Sequence, residues 1–135
     1  MGRYRRRDLV GIKYLVIHHS GTDVDSSAQD IARYHVDVLG WPGIGYHYVV
    51  RWDGTIEQTL SPHIISYNVA GRNHEVLGIC CPGDYTNQPG RAAQVGAKDW
   101  LVDMLLTTIL PNRRVLGHRQ IALPDHPTAC PGMLV

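Results

Sequence analysis

The chain has no apolar stretch approaching the ~20 residues that a membrane-spanning helix needs, which excludes that class. It also lacks an excess of either charge. Thirteen Lys and Arg against twelve Asp and Glu leave +1 with His neutral, so the molecule as a whole is not a polyanion binder and nucleic acid is not an expected partner. Cysteine is scarce and odd in number, at three, and Cys80 and Cys81 are adjacent, which argues against a disulfide framework. On a strand those two neighbours would point to opposite faces. There is no internal repeat, low-complexity tract or linker. The one charge cluster, Arg3, Arg5, Arg6 and Arg7, imitates the basic start of an export signal, but Asp8 and Lys13 interrupt the stretch after it, so no signal peptide is read. Residues 1–13 are expected to form a solvated, partly frayed basic arm. The sharper reading is an arm that touches an anionic surface.

What remains is an ordinary globular composition, 44% hydrophobic and 19% charged, in 135 residues: enough for one domain, here 14–135, and too few for two. Tyr14 to His18 reads as a buried strand, Tyr46 to Trp52 as a second, and Asp53-Gly54 as a hairpin turn into a return strand from Thr55 to Gln58. Val76 to Cys81 is a further buried strand stopped by Pro82-Gly83, and Arg114 to Gly117 a last short one. Between them lie two helices. The first starts near Ser27, with Asp25 or Ser26 as candidate N-cap, and carries Ile31, Tyr34, His35, Val38 and Leu39 at helical spacing up to Gly40. The second runs from about Ala92 to Leu110 and buries Val95, Leu101, Val102, Leu105, Leu106 and Ile109. Residues 61–74 read as an irregular connection, and the proline-rich segment from His118 to Cys130 as a stiff loop. Strands interspersed with helices predict an α/β domain, a central mixed sheet flanked by helices.

Three residues stand out chemically. His18, His118 and Cys130 each lie at or just beyond a strand or in a Gly/Pro-bounded loop, where functional side chains are commonly presented. Two imidazoles and a thiolate suit zinc, and three protein ligands rather than four leave a position open, the pattern of a catalytic ion. His18 and His19 are adjacent on a strand end, so at most one faces a given metal. If the three converge, the chain is a metal-dependent hydrolase.

Five blocks in order carry a resemblance: Ile17-His18-His19-Ser20-Gly21-Thr22; Gly40-Trp41 with Gly45-Tyr46-His47-Tyr48-Val49-Val50; Arg51 to Ile56; Gly117-His118-Arg119; and Thr128-Ala129-Cys130-Pro131-Gly132. Together they resemble the zinc-dependent N-acetylmuramoyl-L-alanine amidases of the phage-lysozyme and peptidoglycan-recognition-protein type. The resemblance implies that fold, one Zn2+ held by His18, His118 and Cys130, and His19 beside the site as a non-ligand. It implies that Tyr46 lies near the metal and stabilises the tetrahedral intermediate, and that Thr128 is a second near-site catalytic position. Asn68, Asn73 and His47 are assigned to the substrate groove. The implied reaction is hydrolysis of the amide between N-acetylmuramic acid and L-alanine of peptidoglycan. A single small domain with no signal peptide read suits a monomeric phage or prophage endolysin, held in the host cytoplasm before release to the wall; a cytoplasmic recycling amidase is the other setting. The alternative is a non-catalytic peptidoglycan-binding module of the same fold.

Two positions depart from the pattern. Asn68 stands where relatives often have a histidine, and Cys80 stands where some amidases place a glutamate base. Asparagine cannot shuttle protons, so either zinc-bound hydroxide with Tyr46 carries more of the chemistry, or His47, His74 or His126 assists.

Overall fold

In Tyr14–His19 a run of bulky apolar residues ends in two histidines, and a strand this apolar must be covered on both faces. The computed structural model, which describes residues 3–135, places it at the heart of the sheet. A short strand β1 (Arg5–Arg6) comes first, and Tyr14–His19 is β2. Helix α1 (Ala28–Asp37) leads to β3 (Tyr48–Val50), β4 (Ile56–Gln58) and the two-residue β5 (Ile64–Ile65). Then come β6 (Val76–Cys81), α2 (Ala92–Thr107), β7 (Arg114–Gly117) and the single-turn α3 (His118–Ile121). The main sheet runs β4-β3-β6-β2-β7. β2 pairs parallel with β6 and β7, β3 parallel with β6, and β4 antiparallel with β3, so the sheet is mixed as expected.

The period of two sorts the side chains of β2 and β6. Leu15, Ile17, Leu77, Ile79 and Cys81 pack with Leu101 and Leu105 of α2 in the main core. Val16 and Val76 face the other way, toward Val69 and Ile121, and Cys80 packs with Ile31, Ile44 and Val49. Cys80 and Cys81 therefore do point to opposite faces, both as buried free thiols.

Several boundaries differ from expectation. The N-cap of α1 is Ser27, neither Asp25 nor Ser26. Its hydroxyl accepts from Asp30 N–H and the Asp30 carboxylate accepts from Ser27 N–H, a capping box. Asp25 is engaged elsewhere, accepting from Arg51 Nε at 3.0 Å and Trp52 N–H at 3.1 Å. Only Ile31 and His35 of α1 are buried, whereas Tyr34, Val38 and Leu39 are exposed, because this short helix covers the sheet by a single narrow stripe. α2 ends at Thr107 and leaves Ile109 exposed, while its Gln94 is buried and donates to the carbonyls of Val50 and Pro82. The segment after β7 begins as helix α3 and not as loop.

The basic segment is not a frayed arm where it is described; Met1 and Gly2 lie outside the described residues. Arg5 and Arg6 pair antiparallel with Ile65 and Ile64. The Arg7 guanidinium donates to the carbonyls of Pro62, Asn73 and His74, and Tyr4 Oη–H donates to Ile44 O at 2.6 Å. Main-chain acceptors left free by the irregular connection hold the arginine, which is why charge here does not mean solvation.

Candidate metal centre and groove

β2 and β7 run parallel side by side, and each releases a histidine at its carboxyl end. His18 is the register partner of Cys80 and shares the face of Val16, away from α2. His118 follows Gly117 at the head of α3, and Cys130 arrives from the loop beyond. One candidate ligand atom from each of His18, His118 and Cys130 lies within 4.8 Å of the others; among the described residues this is the one cluster of three such groups. His18 Nδ1 stands 3.8 Å from Cys130 Sγ, and the His18 and His118 ring centroids are 4.7 Å apart. His19 points to the other face, where its Nδ1 accepts from Tyr85 N–H at 3.1 Å.

The electrostatics suit a metal. Burial, and next the neighbouring His118, push the His18 imidazole down to about 3, so its lone pair is free at neutral pH. Burial lowers His118 too. Burial raises the Cys130 thiol to about 11, with the His19 N–H and Arg119 pulling the other way; a bound cation would displace its proton. Two neutral imidazoles and one sulfur with no carboxylate in the cluster form a donor set that fits zinc with one position open.

Two cavities flank the cluster. One of about 540 Å³ is bordered by Ser20, Ile31, Tyr34, His35, Trp41 and Tyr46. The other, about 520 Å³, is bordered by Trp41, Asn68, Asn73, His118, His126 and Thr128. Trp41 borders both and packs at a tilt against His35, with ring centroids 4.5 Å apart. The Tyr46 ring lies 5.0 Å from that of His18. Burial, then the neighbouring Cys80 and Cys130, raise its phenol well above the ordinary value, so it remains a proton-bearing donor.

The groove assignments separate. Thr128 borders the second cavity, and its hydroxyl accepts from Cys130 N–H at 3.1 Å. Asn73 reaches the same cavity, but its side-chain oxygen is occupied with the N–H groups of Asn68 and Val69, both at 2.8 Å. Asn68 accepts from His18 Nε2 at 3.0 Å. His47 is not in the groove. It is fully buried, Nδ1 accepting from Gly78 N–H at 3.1 Å and Nε2–H donating to Ile64 O at 2.7 Å, so both ring nitrogens are held inside the fold. Of the three histidines considered as helpers, only His126 shares a cavity with His118; His74 borders a separate hollow with Arg5. Ser66, which bears on the site through Asn68, carries no signal in the sequence that marks it.

The mixed α/β sheet thus carries a His-His-Cys group that could hold a metal ion, next to two cavities. The chain belongs to the N-acetylmuramoyl-L-alanine amidase family, whose model matches residues 6–133. Peptidoglycan-recognition protein SC2 of Drosophila melanogaster is 30% identical over 130 residues, 90% of this chain and 68% of that protein. The N-acetylmuramoyl-L-alanine amidase of Mus musculus is 34% identical over 131 residues, 88% of this chain but only 24% of that longer protein. Among solved structures, an endolysin from a Thermus scotoductus bacteriophage superposes with a TM-score of 0.88 at 32% identity, covering 98% of this chain and 84% of its own. An endolysin amidase from Clostridium intestinale gives 0.80 at 26% identity, covering 90% and 76%. Among the described residues no helix is long and apolar enough to cross a membrane.

Proposed function

We propose that this chain hydrolyses the amide between N-acetylmuramic acid and the L-alanine of peptidoglycan, as a monomeric endolysin-type enzyme with one zinc ion held by His18, His118 and Cys130. The observation that carries the reading is the convergence of these three residues, from the ends of two parallel strands and a distant loop, beside a tyrosine in a family of amidases. Zinc, when bound, supplies Lewis acidity that activates water and polarises the scissile carbonyl. The residues of the chain do the rest. The Tyr46 phenol, kept protonated by its surroundings, donates a hydrogen bond to the oxygen that gains negative charge. Thr128 holds the Cys130 main chain and presents its hydroxyl to the cavity that borders His118. The cavities on either side give the two arms of the substrate, glycan and peptide, separate places. With Cys80 in place of a carboxylate, His126 is the titratable side chain from which proton transfer at the rim of that cavity is expected.

The test is clearance of purified cell walls, followed by assay for newly exposed alanine amino groups. Clearance that stops with a chelator and returns with zinc is the expected result. Lysis that persists after complete zinc removal would sink the metal mechanism. Walls bound but never cut would favour the binding module instead.

A further inference from the structure

The amide of Asn68 stands against His18, at the edge of the cavity that His118 and Thr128 also border. Each ring nitrogen of His18 has one partner: Nε2 lies 3.0 Å from Asn68 Oδ1, and Nδ1 lies 3.8 Å from Cys130 Sγ. Around a tetrahedral zinc with bonds of ~2.3 Å to sulfur and ~2.0 Å to nitrogen, the two ligand atoms stand roughly 3.5 Å apart. The Nδ1 edge is therefore the one that fits the ion, and Nε2 must carry the proton. We infer that Asn68 is a positioning residue: its side-chain oxygen accepts from His18 Nε2–H and so holds the imidazole in the tautomer and orientation that turn Nδ1 toward Cys130. The inference rests on the proposal that His18, His118 and Cys130 form the metal site, and deepens it.

Three neighbours make the amide a fixed part. Asn68 Nδ2 donates to the buried Ser66 Oγ at 2.8 Å, so both ends of the amide are occupied. Asn73 Oδ1 gathers the N–H groups of Asn68 and Val69, which locks the loop that carries the amide. Gly78 on β6 leaves the space the amide fills: a Cβ there would lie 2.7 Å from Asn68 Cγ. His47 in turn pins Gly78, accepting its N–H through Nδ1 and donating its own main-chain N–H to Gly78 O at 2.9 Å. The three residues assigned by sequence to the groove thus form a relay behind His18. One holds the ring, one the loop and one the strand. Partners of this kind fix the tautomer of a ligating histidine and raise its basicity, and their loss typically costs about 10- to 100-fold in metal affinity.

The experiment is competition for zinc between the zinc-loaded protein and a chromogenic chelator, with thermal melting at saturating zinc as the check on folding. Asn68→Ala is expected to weaken zinc binding about 10- to 100-fold while melting cooperatively. Asn68→Asp is expected to match or exceed the wild-type affinity, because a carboxylate accepts from Nε2–H more strongly than an amide does. That order is one that loss of loop packing alone would not produce. Wild-type affinity in folded Asn68→Ala, or a fall in Asn68→Asp as large as that in Asn68→Ala, overturns the inference. Should the alanine variant fail to fold, the near-isosteric aspartate decides alone: retained or tighter binding supports it, a tenfold loss overturns it. If Cys130→Ser keeps full zinc affinity, the metal site itself is misassigned, a failure readable apart from the behaviour of Asn68.

Discussion

The main-chain N–H of His19 donates to Cys130 Sγ at 3.3 Å, so the histidine that is not a candidate ligand steadies the sulfur that is. The contact arises from strand alternation: β2 turns the His18 ring to one face and the His19 ring to the other, and leaves the peptide between them beside the cysteine. A serine at position 130 could still accept that hydrogen bond. Cys130→Ser is therefore expected to fold with near wild-type circular dichroism, to lose stoichiometric zinc, and to lose wall hydrolysis. Unfolding of this variant would point to a structural rather than catalytic ion.

Tyr46→Phe tests the oxyanion donor. The ring stays and the hydroxyl goes, so metal content should not change. Activity is expected to fall about 100- to 1,000-fold, the usual cost of removing one such donor. Steady-state kinetics on a soluble muropeptide would read it, and a loss confined to KM would contradict the assignment.

Gly78→Ala reaches the site from behind. The added methyl would meet Asn68 Cγ at 2.7 Å, closer than real Cβ contacts. Overpacking of this kind costs about 1–3 kcal/mol, and here relief requires the amide to leave His18. The variant should lower both the melting temperature and the zinc affinity, measured by scanning calorimetry and chelator competition.

His47 gives a pH dependence with a definite sign. Burial, opposed by its hydrogen bond to Ile64 O, lowers its pKa to about 4 from an ordinary value near 6.5. The unfolded chain binds the proton first as pH falls, so the stability contribution is complete above about pH 6.5, declines from there to about pH 4, and is flat below. The decline should amount to something on the order of 3 kcal/mol. Urea unfolding of His47→Asn across that window should show a shallower slope than wild type; an unchanged slope would refute the buried neutral histidine.

The parts of the fold that repetition of chemistry could reveal were legible in the sequence. Val76–Cys81 and Arg114–Gly117 appear with the expected bounds, since an apolar run ended by Pro-Gly or Gly has few other readings. The convergence of His18, His118 and Cys130 was legible because these residues sit at strand ends and loops with distinctive neighbours. The connection from Ser61 to His74 was not. Its order comes from Arg7 and Asn73, single side chains that satisfy main-chain groups far away in sequence, and such pairing leaves no periodic trace. His47 was misassigned for a related reason. A histidine beside a candidate catalytic tyrosine looks functional until the Gly78 N–H and the Ile64 carbonyl are seen to claim both its nitrogens.

His18 and Cys130 stand 112 residues apart in the chain, and the first and third candidate ligands meet only where β2, β6 and β7 already lie side by side. No short loop of this chain can chelate an ion early in folding, as the closely spaced ligands of a zinc finger can. The ion would seal a finished sheet and not seed one. Refolding should then be limited by the non-local pairing of β2 with its two parallel neighbours, at a rate that zinc does not change. Unfolding should be slowed by zinc, since a contact formed last is lost first on the way out. An ion held by these three residues would thus determine how long the protein survives rather than how fast it forms.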